Sequence, residues 1–355
     1  MKTRLFLMLL LCGAAAVAAV QAPQMQNAKL VNRETADLRG EVGRIVAANQ
    51  PAWIAYAAPM IAGEHDMCCY SDYGAGRSCG CALEGGNVSI TASETGNPTQ
   101  HLENTGYFYV FLRSEGGKAE KVRAFSAGCP IDADGMTVYW LGSPKPADSV
   151  ALLASLISSS DSEDRHDRIA GQAVMAIAFT NDPAADQEMD KLLAASQPRS
   201  VRKKAAFWTA QMRGKPGLDK LAALLRNDAD DDFRRDLTFD LTQSKLPQAE
   251  DELIRAAHQD PSSRVRSQAL FWLAQRAGKK VAGTITDAIE RDPDTDVKKK
   301  AVFALTQMPD GEGVPLLIQV ARNNTNPVVR KQAVFWLGQS HDPRALDFIE
   351  SVLKQ

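Results

Sequence analysis

The sequence predicts a mainly α-helical protein, in which a right-handed α-solenoid of six helix pairs follows a small β-rich or α+β domain. Three observations lead to this fold class: a strict repeat in the second half, a cluster of cysteines in the first half, and an apolar leader. The chain has 355 residues, of which 45% are hydrophobic and 24% charged. This composition is typical of globular proteins and excludes a disordered or fibrous chain.

The leader has the three-part layout of a secretory signal peptide. Lys2 and Arg4 give a basic start, and an uncharged apolar run follows from Leu5 to Val20. That run is shorter than the roughly 20 residues that a membrane-spanning helix needs. Small residues around Ala22 then predict cleavage after Ala22, so residues 1–22 form the signal peptide. We expect a bacterial-type exported protein, periplasmic or secreted, without a membrane span.

The repeat dominates the second half of the chain. Five copies of one helical segment align without a gap, with starts at positions 201, 233, 265, 297 and 329, a period of 32 residues. A degenerate sixth copy begins at Ile169. Asp-Pro or Asn-Pro separates several units, and these residues cap one helix and end another. Each unit therefore predicts a helix pair, and six stacked pairs over residues 148–355 share the core that one pair lacks.

These units resemble HEAT repeats of the short, phycobiliprotein-lyase type, whose pattern is D-P-x-V-R-x-x-A. The segments at 292–301 and 326–333 carry the pattern best, and 262–269 carries it too. The resemblance covers about residues 150–355 and implies a scaffold that binds another protein on its concave face. It does not imply lyase activity. Some HEAT-like hydroxylases bind iron through His-Glu pairs, and the absence of any His-Glu dipeptide from the sequence disfavours that activity.

One column of the repeat alternates between tryptophan and other residues. Trp208, Trp272 and Trp336 occupy it in alternate units, and Asp240 and Ala304 occupy it in the others. Because an unpaired carboxylate is costly to bury, we expect this column to lie outside the deep core. The three tryptophans are then candidates for partner binding, together with Lys204 and Lys300, one turn earlier on the same face. The alternative is that the tryptophans fill grooves between neighbouring units.

Two further columns are predicted to be structural. The residue before the tryptophan column is phenylalanine in all five clear copies, which predicts a ladder of core side chains. The second residue of each copy is basic, and aspartates crowd the loop before it, which predicts an Asp–Arg ladder between units. With a net charge of −2, the chain lacks the global basic field that favours nucleic acid, and we predict no nucleic-acid partner. The basic residues are Arg202, Arg234, Arg266, Lys298 and Arg330.

Residues 23–142 form the predicted N-terminal domain, and 143–147, with the sequence S-P-K-P-A, form a linker to the array. Apolar residues at helical spacing predict a helix over 34–48. β-Branched and aromatic runs predict strands, and the glycines at 116 and 117 can turn one strand into the next. No family is apparent from this domain. The predicted strands are Trp53–Tyr56, Tyr107–Leu112, Lys121–Phe125 and Met136–Leu141.

All the cysteines of the mature chain lie in this domain. In an exported protein such a cluster predicts disulfides, with one thiol left over because five is odd. A zinc or copper site is the alternative, because His65 and the first four cysteines could supply ligands, although their spacing matches no standard zinc pattern. Thiol redox chemistry is a further option, but Cys79-Gly80-Cys81 departs from the usual C-x-x-C. The disulfide candidates are Cys68, Cys69, Cys79, Cys81 and Cys129, and the metal candidates are His65, Cys68, Cys69, Cys79 and Cys81.

The sequence contains none of the common hydrolase, metalloprotease or phosphate-binding patterns. It therefore predicts no catalytic residue and no cofactor. The leading hypothesis is an exported, non-enzymatic scaffold that binds a protein or peptide on the concave face of the array. The alternative is an exported metal-binding or thiol-redox protein with its site in residues 65–81.

Overall fold

The structure, a computed structural model, describes residues 20–63, 69–72, 76–79, 82–84, 106–129, 131–158 and 163–354. For 69–72 and 76–79 it describes the backbone only. Residues 1–19 of the predicted signal peptide and most of the cysteine-rich segment lie outside these ranges. Within the described ranges, no helix is both long enough and apolar enough to cross a membrane.

The N-terminal region is built on a five-stranded mixed sheet with the strand order β2-β9-β3-β6-β7. β3, β6 and β7 are antiparallel neighbours, whereas β9 runs parallel to both β2 and β3. The predicted hairpin is confirmed, because Gly116 and Gly117 connect β6 to β7 with positive φ angles of 58° and 72°. The strands are β1 (Met25–Gln26), β2 (Lys29–Asn32), β3 (Ala52–Pro59), β4 (Cys69–Asp72), β5 (Gly76–Cys79), β6 (Tyr107–Glu115), β7 (Lys118–Ser126), β8 (Ile131–Asp132) and β9 (Thr137–Trp140).

After the sheet, one single helix, α2 (Pro146–Ser158), is followed by six helix pairs that continue to the C-terminus. Side chains of Asp182, Asp230, Asp294, Asn326 and Asp342 accept hydrogen bonds from backbone N–H groups at helix starts, as capping predicts. The helices are α1 (Leu38–Ala47), α2 (Pro146–Ser158), α3 (Glu163–Phe179), α4 (Pro183–Leu193), α5 (Arg199–Met212), α6 (Gly214–Asn227), α7 (Asp231–Thr242), α8 (Gln248–Gln259), α9 (Ser263–Ala277), α10 (Ala282–Arg291), α11 (Thr295–Thr306), α12 (Gly313–Asn323), α13 (Pro327–Gly338) and α14 (Pro343–Leu353).

We call α3, α5, α7, α9, α11 and α13 the first helices, because they contain the aligned repeat segments. The helices that follow them, α4, α6, α8, α10, α12 and α14, are the second helices. Successive first helices pack closely against one another along the array, whereas successive second helices make fewer contacts with each other. The first helices therefore form one continuous face.

The sheet and the helices share one hydrophobic core. Side chains alternate along β3, so Ile54 and Tyr56 pack with α1, α2 and α3, while Trp53 and Ala55 belong to a second cluster on the other face. Two backbone hydrogen bonds join the end of β3 to the end of α3. Ile61 N–H donates to the Phe179 carbonyl at 2.9 Å, and Asn181 N–H donates to the Pro59 carbonyl at 2.9 Å. The sheet thus covers the first helix pair of the array, the position that a capping element takes in repeat proteins.

The predicted linker is short in the structure, because α2 already begins at Pro146. Ser149 on α2 donates its hydroxyl hydrogen to the Tyr56 hydroxyl at 2.9 Å, deep between sheet and helix. Burial raises the pKa of Tyr56. The junction between the two regions is therefore packed rather than open.

An Arg–Asp ladder connects successive helix pairs, as the sequence predicts. Arg234 donates two hydrogen bonds of 3.0 Å to the carboxylate of Asp260, and its remaining nitrogen donates to the Asp228 carbonyl. Arg266 repeats this arrangement one unit later with Asp292. Each arginine therefore ties its own helix to two inter-unit loops. The buried pairs are Arg202–Asp228, Arg234–Asp260 and Arg266–Asp292.

Candidate functional site

Nine aromatic rings form a continuous series along the face of the first helices, which we call the aromatic ladder. Neighbouring ring centroids lie 4.9 to 6.3 Å apart, in stacked, tilted and edge-on arrangements. Phe179, at the start of the ladder, belongs to the core, but the five phenylalanines of the aligned column do not, so the prediction for that column is wrong. Four of its phenylalanines are half-buried and Phe335 is 53% exposed. The ladder consists of Phe179, Phe207, Trp208, Phe239, Phe271, Trp272, Phe303, Phe335 and Trp336.

The alternating column explains how the ladder is built. Where a unit carries tryptophan, the indole contacts the phenylalanine of the preceding unit, as Trp272 does with Phe239 at 5.0 Å. Where the column holds a smaller residue, the two phenylalanines stack directly, as Phe207 and Phe239 do at 6.3 Å. All three indoles are half-buried, and Trp208 and Trp336 pack against the hydrophobic core, which supports the groove-filling interpretation. The exposed part of each indole still contributes to the surface formed by the first helices.

A cavity of about 500 Å³ interrupts this surface at the second clear unit. Trp208 and Phe207 line it from the preceding unit, and Trp272 and Gln268 line it from the following one. Its position matches the place where the tryptophan column carries an aspartate. A carboxylate is much smaller than an indole, so the substitution leaves room between the two tryptophans. The lining residues are Gly171, Lys203, Lys204, Phe207, Trp208, Arg235, Asp236, Phe239, Asp240, Gln268 and Trp272.

Asp240 is the unusual residue of this cavity. It is only 5% exposed, so the expectation that an aspartate keeps this column outside the core is wrong. Among the described residues, none donates a hydrogen bond to its carboxyl group. Burial, and secondarily the negative charge of Asp236, raise the pKa of Asp240 to about 8, against a smaller opposing effect of Lys203. The folded protein therefore favours the neutral acid. A neutral carboxyl group costs less free energy to bury than a carboxylate anion, which is why an aspartate can occupy this buried position.

The charged groups near Asp240 are paired with one another at the rim. Lys203 Nζ lies 3.4 Å from Asp236, and Arg199 Nη2 donates to Asp236 at 2.7 Å. These neighbours lower the pKa of Asp236, the opposite of the shift at Asp240. Two carboxyl groups one helical turn apart thus have different protonation states at neutral pH.

A second cavity of about 500 Å³ opens on the same face between α7, α9 and α11. Lys300, Phe271 and Phe303 line it, together with Arg235, which also lines the first cavity. The two cavities are therefore neighbours along one groove, and the groove follows the aromatic ladder.

The structure brings together three of the five residues predicted to bind a partner. Trp208, Trp272 and Lys204 line the first cavity, and Lys300 lines the second. Trp336 lies further along, where its ring contacts Phe303 of the second cavity at 5.0 Å. Sequence reasoning missed Asp240 as a site residue. The signal was present, since Asp240 is the acidic exception in a column that otherwise carries tryptophan or alanine.

The cysteine cluster is described only in part. His65, Cys68 and Cys81 lie outside the described residues, so their predicted metal and disulfide roles stay predictions. The backbone register of β4 and β5 places Cys69 directly opposite Cys79. Cys129 is 1% exposed in the second hydrophobic cluster.

Three neighbouring carboxylates at the start of α7 lie close enough together to suggest a cation site: Asp230, Asp231 and Asp232. Their contacts are structural. Asp230 caps the helix, Asp231 accepts hydrogen bonds from Ser262 and Arg264, and Asp232 pairs with Arg264 and Arg235. Ion pairs and caps therefore account for this cluster.

Comparison with known proteins agrees with the repeat pattern. Residues 282–355 match the family model for HEAT repeats, and the N-terminal region matches no family model. A solved structure of human deoxyhypusine hydroxylase in complex with glycerol aligns over 58% of this chain and 89% of its own, with 16% identity and a TM-score of 0.29. No curated protein matches the chain significantly. The C-terminal region thus carries HEAT repeats.

Proposed function

We propose, starting from these HEAT repeats, that the protein is an exported, non-enzymatic scaffold that binds a protein or peptide along its aromatic ladder. The observation that carries the proposal is the groove formed by two neighbouring cavities on the face of the first helices. Aromatic residues in such a groove supply large contact area at low cost in conformational entropy. HEAT repeats commonly mediate protein interactions, which supports a scaffold rather than an enzyme.

The proposal includes the architecture of the array. We propose a right-handed α-solenoid of six 32-residue pairs, α3/α4 to α13/α14, with the first helices on its concave side. Closer packing among first helices than among second helices supports this, because the inner side of a curved array is the shorter one. The groove would then follow the concave surface.

Site-specific crosslinking tests the binding face. A photoreactive amino acid replaces Lys204 or Lys300 in the groove, and Lys215, which is exposed on the second helix α6, provides the matched control. In cells that produce the protein naturally, we expect one protein species to be crosslinked from both groove positions and not from position 215. Mass spectrometry of the crosslinked bands gives the identity.

The aromatic surface of the groove supplies a second arm of this experiment. The variant Phe271→Ala is expected to reduce the yield of a crosslink placed at Gln268 by about tenfold, and Lys215→Ala is expected to leave it unchanged. Circular dichroism checks that both variants keep their helical content. Equal crosslinking from groove and control positions, or none from the groove, would contradict the scaffold.

Export is part of the proposal, with cleavage after Ala22. In the uncleaved chain Val20 and Ala22 pack against the second hydrophobic cluster, and the Tyr109 hydroxyl donates to the Gln21 carbonyl at 2.9 Å, so cleavage would release these contacts. The intact mass of the protein from the exported fraction tests this: we expect a mass starting at Pro23, and a mass that includes residues 1–22 would contradict it.

We propose disulfides as the role of the cysteine cluster. Residues directly opposite each other on antiparallel strands have Cα atoms about 4.5–5.5 Å apart, which suits a disulfide. Cys69 and Cys79 occupy such positions, so we propose a bridge between them. Cys129 already has a partner, so it would form the second bridge with Cys68 or Cys81, and the other of these two would supply the thiol.

Intact mass with and without alkylation, plus metal analysis of the same exported sample, tests this assignment. We expect two bridges, one alkylated thiol and no stoichiometric metal. The variant Cys69→Ser should expose one further thiol, and Cys69→Ser/Cys79→Ser should not. Four or five alkylated cysteines with one bound metal would favour the alternative, a metal-binding or thiol-redox site in residues 65–81.

A further inference from the structure

The cavity at Asp240 contains a buried carboxyl group that no described residue satisfies. A buried polar group without a hydrogen-bond partner costs the protein stability, and this group lines the cavity wall rather than facing the interior of its own helix pair. Arg199 and Arg235 both donate to Asp236, one turn away, and Lys203 also pairs with Asp236. The cations beside the cavity are therefore engaged by Asp236, and the carboxyl group of Asp240 is left as an acceptor for a ligand.

The walls of the cavity favour a planar cation. Phe207, Trp208, Phe239 and Trp272 supply aromatic surface, and their ring centroids are 5.0 to 6.3 Å from their neighbours in the ladder. A guanidinium group stacks on such rings and presents five donors, of which two can bind one carboxylate. An anionic group would meet the negative faces of the rings and the carboxyl group of Asp240. Gln268 adds a neutral side-chain amide at the edge.

We propose that this cavity is a specificity pocket for an arginine side chain of the bound peptide, with Asp240 as its carboxylate partner and Trp208 and Trp272 as its aromatic walls. The inference rests on the proposed scaffold function and narrows it, because it names the chemistry by which the groove selects a partner. The second cavity has no buried acid among its lining residues. It therefore binds the adjoining residues of the peptide without a preference for arginine.

Binding would be linked to proton release. Among the side chains that the structure describes, the charged groups that line the cavity are Lys203 and Lys204 from α5, and Arg235 and Asp236 beside Asp240 on α7, while α9 contributes the neutral Gln268 and Trp272. The pKa of Asp236 is lowered, whereas that of Asp240 is raised to about 8, so of these two acids Asp240 is the one that changes charge near neutral pH. Affinity for arginine should therefore rise from pH 6 to pH 8, by up to about fifty-fold for one proton.

Three dye-labelled pentapeptides test the pocket by fluorescence polarisation with the full mature protein. They carry a central arginine, citrulline or glutamate between alanines. Citrulline keeps the shape of arginine but lacks its charge. We expect the arginine peptide to bind at least tenfold more tightly than the other two at pH 8, and only its affinity to fall at pH 6.

The variant Asp240→Asn keeps the size of the side chain and removes the charge, so it should abolish the preference for arginine over citrulline and its pH dependence. Asp219→Asn, on the exposed face of α6, is the matched control and should change neither. Binding of arginine and citrulline with equal affinity, tighter binding of glutamate, no binding of arginine, or an unchanged preference in Asp240→Asn would overturn the assignment. Crosslinks from positions 204 and 300 that persist in Asp240→Asn would then show that the scaffold function holds without this pocket.

Discussion

Replacing Arg234 by methionine is expected to lower the free energy of unfolding by about 3 kcal/mol. The side chain of Arg234 is 8% exposed and that of Asp260 is 3% exposed. The substitution therefore leaves the Asp260 carboxylate buried without its two hydrogen bonds. It also removes the donor to the Asp228 carbonyl in the adjacent loop. Because one arginine joins two inter-unit loops, the loss affects the interface between neighbouring pairs, on which repeat arrays depend.

Urea denaturation followed by circular dichroism measures this effect. Lys215→Met is the matched control, because Lys215 forms an exposed i,i+4 pair with Asp219 that contributes about 0.5 kcal/mol or less. Exchanging both partners, in Arg234→Met/Asp260→Leu, should restore most of the lost stability, since no buried charge then remains. Similar losses for Arg234→Met and Lys215→Met would show that the ladder does not hold the units together.

The array was predictable because its signal is periodic. A gapless repeat fixes which positions share an environment, so the helix pairs, the caps and the Arg–Asp pairs follow from one aligned column after another. Arg266 and Asp292 illustrate this: a basic residue recurs at the second position of every aligned copy, aspartates recur in several of the loops between copies, and Arg266 donates to Asp292 of the following loop at 2.8 Å.

The exposure of the aromatic ladder was not predictable from the same pattern. An invariant phenylalanine at helical spacing suits a core position, but within the described part of the chain no layer covers the first helices, so Phe335 and its equivalents are half-buried or exposed. The order of the strands in the sheet could not be predicted from the sequence either. Its strands were apparent from composition, but the insertion of β9 between β2 and β3 depends on pairing between segments about 80 residues or more apart.

Asp240 was misjudged for a physical reason. Sequence reasoning treats an aspartate as a charge and therefore places it outside the core. The folded environment instead raises the pKa of Asp240 to about 8 and buries the neutral acid. A single ionisable residue in an apolar column is thus ambiguous until its surroundings are known, and such residues are often where function lies.

The same shift predicts a pH dependence of stability. The pKa of Asp240 is about 8 in the folded protein and about 4 in an unfolded chain. Between these values the folded state binds a proton that the unfolded state has lost, so rising pH favours unfolding. This contribution is fully present below pH 4 and is lost as the pH rises to 8, by about 1.4 kcal/mol for each pH unit.

Asp240→Asn should therefore have a flatter stability profile than the original protein, with the largest gain at pH 8. The slope is the informative quantity, because a buried amide also lacks a hydrogen-bond partner and shifts the whole curve by a constant amount. Carboxylates with lowered pKa values, such as Asp236 and Asp342, act in the opposite direction and only at lower pH. Denaturation midpoints at pH 5.5, 6.5 and 7.5 for both proteins separate these effects.

Parallel profiles would contradict this prediction and would mean that Asp240 is ionised at neutral pH, with water entering the cavity to solvate it. The consequences for the pocket differ from those for stability. An ionised Asp240 could still bind arginine in preference to citrulline, because that selection depends on charge and on the aromatic walls, but the affinity would no longer change between pH 6 and pH 8. The preference for arginine over citrulline therefore tests whether Asp240 lies in the pocket. The pH profiles of stability and of affinity test whether Asp240 is charged before the peptide binds.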